Sequence, residues 1–86
     1  MTAPMPGAPF QVDDLVVVVA AIDAHIHDVS EHIGARGRVV RLDYDAPGCT
    51  FPTDPMLHVE LAVGVRDFWR EELALAWPGL EVLAVT

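Results

Sequence analysis

The sequence predicts a small, mainly β domain. With 86 residues, the chain is long enough for one hydrophobic core and too short for two. Short runs rich in Val, Leu and Ile are separated by turn-forming clusters of Gly, Pro and Asp, as in antiparallel strands joined by loops. The hydrophobic fraction of 52% lies far from the composition of disordered chains. We therefore expect one folded domain over residues 12–86, preceded by a flexible, proline-rich arm over residues 1–11.

Three strands are predicted in the first two thirds of this domain. The clearest is DLVVVVAA at residues 14–21, whose unbroken hydrophobicity predicts that both of its faces are covered. GARGRVVRLDY predicts a turn feeding a second strand over residues 38–44, and the alternating MLHVELAV at residues 56–63 predicts a half-buried third strand. Residues 45–55 contain three prolines and form a long loop, which is where function often lies.

The remaining third of the domain is expected to close the fold. Gly64 offers a tight turn into a returning strand in which Val65 and Phe68 face the core. REEL predicts one turn of 3₁₀ helix, LALA a short strand, and WPG a turn into a last strand, LEVLAVT.

This order of elements resembles the SH3-like barrel superfamily, a small barrel of five to six strands with a long, partly helical first loop. The resemblance covers residues 12–76 and concerns the fold, not an activity. The stretches GARGRVV and FWREEL are also similar to the barrel domain of nitrile hydratase beta subunits, in which the barrel contributes to assembly and the metal ligands lie on another subunit. Type II dihydrofolate reductases are barrels of similar length, but their Val-Gln-Ile-Tyr motif has no counterpart here.

The charge of the chain argues against a nucleic-acid partner. Thirteen acidic residues face five basic ones, all arginines, for a net charge of −8, and phosphate backbones are bound mainly through Lys and Arg. The basic cluster of Arg36, Arg38 and Arg41 fits a solvated strand edge. Arginine without lysine, together with many Ala and Val, is typical of bacterial proteins from GC-rich genomes.

The cellular setting is expected to be cytoplasmic, without a membrane. A single cysteine, Cys49, forms no intrachain disulfide, which fits a reducing compartment. MTAPMPGAPF lacks the basic residues of a signal peptide, and the longest apolar run is too short to span a bilayer. So much apolar material is hard to bury in one small domain, which predicts a homo-oligomer.

DAHIHDVSEHIGARG, at residues 23–37, holds three of the four histidines. His25, His27 and His32 offer ligands to a divalent transition metal, although their spacing matches no known zinc motif. The alternative is a polar loop whose histidines are solvated and bind no metal. Apolar and polar residues alternate at the start of this stretch, as they would in a strand. Helical spacing is also present, at Ile22, Ile26, Val29 and Ile33. Helix, strand and loop therefore stay open for residues 23–33, and a short helix over residues 28–33 would satisfy part of both patterns.

Catalytic residues are not assigned. Cys49 with His58, and Ser30 beside Glu31 and His32, lack the surroundings of a known nucleophile motif. The adjacent Glu71 and Glu72 give little support to a mechanism with two paired carboxylates.

Aromatic side chains are the favoured contact residues, because barrels often bind ligands through aromatics beside the first loop. The candidates are Trp69, Trp77, Phe51 and Tyr44. The leading hypothesis is a non-enzymatic, acidic binding or assembly module that self-associates through these tryptophans and the apolar face of residues 16–19. Two alternatives are a small metal-binding protein or oligomeric enzyme that uses the histidines, and an accessory or mobile-gene product that binds a small cationic ligand.

Overall fold

The fold is mainly β. A computed structural model describes residues 5–22 and 28–76, and these form one five-stranded antiparallel sheet and two single turns of 3₁₀ helix. The strands are β1 (Leu15–Val18), β2 (Arg36–Asp43), β3 (Met56–Leu61), β4 (Gly64–Phe68) and β5 (Leu73–Leu75); the 3₁₀ turns are η1 (Ser30–His32) and η2 (Arg70–Glu72). The predicted last strand, LEVLAVT, lies outside the described residues.

The sheet order is β4-β3-β2-β1-β5, and β2 is the strand that joins its two halves. Its first residues pair with β1, with Gly37 opposite Val16, and its later residues pair with β3. The register shifts between Val39 and Arg41, an irregularity of the kind that bends a strand. Gly37 also passes very close to the backbone carbonyl of Glu60, so a side chain at this position would collide with β3. The glycine is therefore needed for space rather than for an unusual backbone angle.

The core lies on one face of the sheet. It contains alternate residues of the strands, as the period of two predicts, together with one residue each from the N-terminal segment and the first loop. Its fully buried members from the strands are Val16, Val18, Val39, Leu57, Val59 and Phe68, and Phe10 and Val29 join them.

Two details differ from the sequence prediction. Leu15 and Val19, on the other face of β1, are exposed, so this strand is covered on one side within the described residues. Val65 is also exposed while Phe68 is buried, because positions 65 and 68 fall on opposite faces of β4.

The first loop joins β1 to β2 and contains η1. The carboxylate of Asp28 accepts a hydrogen bond from the backbone N–H of Ser30, which helps to close this turn. Of the apolar residues at helical spacing, Val29 is buried, Ile22 and Ile33 are exposed, and Ile26 lies outside the described residues. Val18 accepts a backbone hydrogen bond from Gly34, which fixes the point where the loop returns to the sheet.

Candidate functional site

A groove of about 440 Å³ lies where the first loop, the 45–55 loop and η2 meet. Ile22 contributes from the first loop, Pro55 is a buried residue at the end of the 45–55 loop, and Trp69 precedes η2. The wall is completed by Gly48, Asp54, Arg70 and Glu71. The groove thus combines an apolar surface with charged groups, as ligand sites commonly do.

Glu72 connects two of the three segments that line this groove. Its side chain is fully buried, with 0% exposure, although it carries a carboxylate. One carboxylate oxygen accepts the backbone N–H of Trp69 at 2.8 Å, and the other accepts that of Ile22 at 3.1 Å. Both oxygens are therefore paired with amides of groove residues, which offsets the cost of burying the charge.

Backbone hydrogen bonds strengthen the same junction. The N–H of Glu72 donates to the carbonyl of Trp69 at 3.0 Å, which makes the Trp69–Glu72 contact reciprocal. The carbonyl of Glu72 accepts the N–H of Val19 at 2.8 Å, where β1 enters the first loop. Glu72 thus accepts hydrogen bonds from three backbone N–H groups, those of Ile22, Trp69 and Val19.

Arg70 connects η2 to the third segment. Its guanidinium donates to the backbone carbonyl of Thr53 at 3.0 Å and lies 3.7 Å from the carboxylate of Asp54. Thr50 and Asp54 exchange two backbone hydrogen bonds that close the end of the 45–55 loop. The indole edge of Trp69 faces Gly48, where a Cβ would sit 3.5 Å from the ring. The absence of a side chain at Gly48 therefore leaves room beside the indole.

The predicted contact residues divide into two groups. Trp69 lines the groove and is partly buried. Tyr44 and Phe51 stack on each other edge to face, with ring centroids 5.0 Å apart, and the Tyr44 hydroxyl donates to the carbonyl of Pro52. Phe51 remains 65% exposed, so this pair forms a separate aromatic corner of the 45–55 loop. Trp77 lies outside the described residues.

Of the three predicted metal-ligand histidines, His32 lies among the described residues. His25 and His27 lie outside the described residues. The His32 ring packs edge to face against Phe68 at 6.3 Å, and its Nε2 lies 3.4 Å from the carboxylate of Glu31. Among residues 5–22 and 28–76, no group of three or more His, Cys, Asp or Glu is arranged to hold a metal ion.

A second polar cluster lies on the face of the sheet opposite the core. His58 of β3 sits between two carboxylates, with Nε2 3.2 Å from Asp43 of β2 and Nδ1 3.2 Å from Asp67 of β4. The backbone N–H of Asp45, the His58 side chain and the nearby Arg41 all hold the pKa of Asp43 below its ordinary value. This cluster joins three strands and is separate from the groove.

Glu72 and the other groove residues beside Trp69 were not predicted as a site. One local pattern in the sequence could have indicated Glu72: it lies three residues after Trp69, the residue before the turn, which is the spacing of a capping box. Ile22, Gly48 and Pro55 carry no distinctive pattern, because the fold alone brings them together.

Comparisons with protein families, with curated proteins and with solved structures find no match to this chain. In the described part of the chain, no helix is both long enough and apolar enough to cross a bilayer.

We predict that Glu72→Gln lowers the free energy of unfolding by about 1–3 kcal/mol, because the amide NH₂ of the buried side chain would face one of the two backbone N–H groups that the carboxylate now accepts. Urea unfolding followed by circular dichroism measures this loss. Glu71→Gln is the matched control, since it removes the same charge from an exposed neighbour and should change stability little. Equal effects of both variants would contradict the role of Glu72.

We also predict that Asp43 contributes stability that disappears in acid. Its pKa is lowered in the folded state, so the contribution is present above the unfolded value of about 3.8 and is lost as the pH falls through the folded value. The difference in stability between the wild type and Asp43→Asn should therefore shrink as the pH falls below about 3.8 and through the lowered folded-state pKa of Asp43. Asp45→Asn is the control, because it keeps the backbone N–H that bonds to Asp43, and its stability should depend on acid pH as in the wild type. An equally reduced dependence on acid pH in both variants would contradict the assignment to Asp43.

Proposed function

We propose that this chain is a non-enzymatic binding module that holds its ligand in the groove beside Trp69. The observation that carries the proposal is the convergence of three loops and turns on one partly buried tryptophan, with a buried glutamate fixing two of them. An aromatic ring that lines a groove offers a large apolar contact, and polar groups in the same lining give orientation. A prebuilt groove of this kind needs little rearrangement to bind.

We further propose that the fold is an SH3-like barrel. Three observations support this: the order β4-β3-β2-β1-β5, the shared use of β2 by both halves of the sheet, and the 3₁₀ turn directly before β5. The groove beside the first loop is where the sequence analysis expected barrel proteins to bind ligands. We also retain self-association as part of the proposal, because Leu15, Val19 and Leu75 expose apolar area on a chain of this size.

A cationic group is the second candidate for the ligand chemistry. The rim carries the carboxylates of Asp54 and Glu71, and the one arginine among the lining residues, Arg70, is turned onto the 45–55 loop. A positive group in the groove would lie near the indole of Trp69 and the carboxylate of Glu71, since Asp54 already lies 3.7 Å from the Arg70 guanidinium, and the net charge of −8 would favour its approach. This proposal extends the first and is tested by the same experiment.

We predict that a fragment screen observed by ¹⁵N–¹H NMR shifts the backbone amides of Gly48 and Trp69. The probes are neutral indoles and benzamides, together with arginine amide and tetramethylammonium as cations. Trp69→Ala should weaken any hit by about tenfold or more, as expected for the loss of a central aromatic contact. Phe51→Ala, an equally drastic change at an exposed aromatic outside the groove, should leave binding unchanged.

The pattern of hits separates the proposals. Shifts at the groove with neutral probes alone support the module and remove the cationic candidate. Shifts confined to residues away from the groove, or hits that Trp69→Ala does not weaken, would contradict the groove as the binding site.

A further inference from the structure

The polar cluster around His58 links β4, at the end of the described sheet, to the two strands beside it. His58 of β3 lies directly opposite Asp67 of β4 in the strand register. Its Nδ1 is 3.2 Å from the Asp67 carboxylate, and its Nε2 is 3.2 Å from the carboxylate of Asp43 on β2. We call Asp43, His58 and Asp67 the His58 tie, because one imidazole ring contacts side chains of both neighbouring strands.

The number of protons on the His58 ring decides whether both contacts are hydrogen bonds. A neutral imidazole has one N–H and one bare nitrogen, whereas the imidazolium donates from both nitrogens. An ionised carboxylate only accepts hydrogen bonds. With a neutral ring, one nitrogen lone pair would therefore face a negative carboxylate. The protonated ring is the form that satisfies both sides of the tie.

The two carboxylates of the His58 tie are held unequally. Asp43 also accepts the backbone N–H of Asp45 at 2.9 Å, and its side chain is 19% exposed. The side chain of Asp67 is 45% exposed, so water solvates it more easily. A neutral ring therefore keeps its N–H on Nε2, where it donates to Asp43, and gives up the contact between Nδ1 and Asp67.

Two other charged groups neighbour His58 on this face of the sheet. Arg41 of β2 lies directly opposite His58, and its positive charge opposes protonation of the ring. Arg41 is exposed to solvent, however, while both carboxylates contact the ring directly. Glu60 is two residues along β3, and its carboxylate lies 3.4 Å from the guanidinium of Arg38. The charges in contact with the ring thus favour its protonated form.

We propose that the His58 tie is a pH-sensitive link across β2, β3 and β4. The link is complete while His58 is protonated and both carboxylates are ionised, and it loses the Asp67 contact when the ring gives up its proton. Histidine is the side chain that ordinarily changes charge between about pH 5 and about pH 8. Stability from the Asp67 contact is therefore present at the acid end of this range and is lost as the pH rises. The proposal is independent of ligand binding in the groove.

NMR of the full-length chain from about pH 5 to about pH 8 tests this proposal. Imidazole ¹⁵N signals show which ring nitrogens carry protons, and side-chain carboxyl ¹³C signals report the surroundings of each aspartate. We expect protons on both His58 nitrogens at the acid end and on Nε2 alone at the alkaline end. The carboxyl signal of Asp67 should shift in step with the His58 titration. Hydrogen-exchange protection factors of the β4 amides should fall about threefold over this range, the size expected for one partly exposed ion pair.

Asp67→Asn should remove this pH dependence. An amide accepts from a protonated Nδ1 and donates to a bare one, so the variant suits both states of the ring. The protection factors of its β4 amides should therefore stay constant over the same range. Glu60→Gln is the matched control, because it removes one negative charge from the same face of β3 at a residue that pairs with Arg38. This control should keep the wild-type pH dependence.

Three results would overturn the proposal. The first is a neutral His58 ring that keeps its proton on Nδ1 instead of Nε2. The second is an Asp67 carboxyl signal in the wild type that does not follow the His58 titration. The third is the same pH dependence of β4 protection in Asp67→Asn as in the wild type, which would assign the response to groups elsewhere in the chain. The first two readouts use the wild type alone and do not depend on how well a variant folds.

Discussion

The junction at Glu72 is the constraint on which the groove depends. Its carboxylate is fully buried and accepts two backbone N–H groups, one from Ile22 and one from Trp69. Burying an unpaired charge would be costly, so the carboxylate favours the one arrangement in which both loop amides point at it. The groove is therefore an outcome of satisfying a buried acid. Without this anchor, the first loop would keep the backbone contacts of Val19 and Gly34 to the sheet while losing the tie at Ile22.

The position of this junction depends on the sheet. The register of β2 against β3 shifts between Val39 and Arg41, and Gly37 permits the close approach of β3. The turn η2, which follows β4, carries Glu72 to the backbone N–H of Ile22 in the first loop. The same topology leaves β5 at an edge.

Sequence periodicity predicted most of the fold. The alternation of Leu57, Val59 and Leu61 in β3 and the tight turn into β4 are local properties, and the structure confirms both, with the turn at residues 62–63 directly before Gly64. The REEL turn is also confirmed. Exposure was harder to predict: Val19 and Val65 are as apolar as their buried neighbours, and only the arrangement of strands decides which face meets the core. The site was the least predictable part. Trp69 stands out in the sequence by its chemistry. Glu72 does not, because one of the two amides that it accepts, that of Ile22, lies 50 residues away in the chain.

Amide hydrogen exchange at Ile22 and Trp69 tests the central claim most directly. Ile22 is an exposed loop residue whose amide would exchange quickly if it were solvated, and Glu72 is its acceptor. We predict that both amides are protected in the wild type, and that Glu72→Gln removes the protection of one or both while the Val18 amide, bonded to Ala35, stays protected. Fast exchange of Ile22 and Trp69 in the wild type, or protection unchanged in Glu72→Gln, would contradict the account.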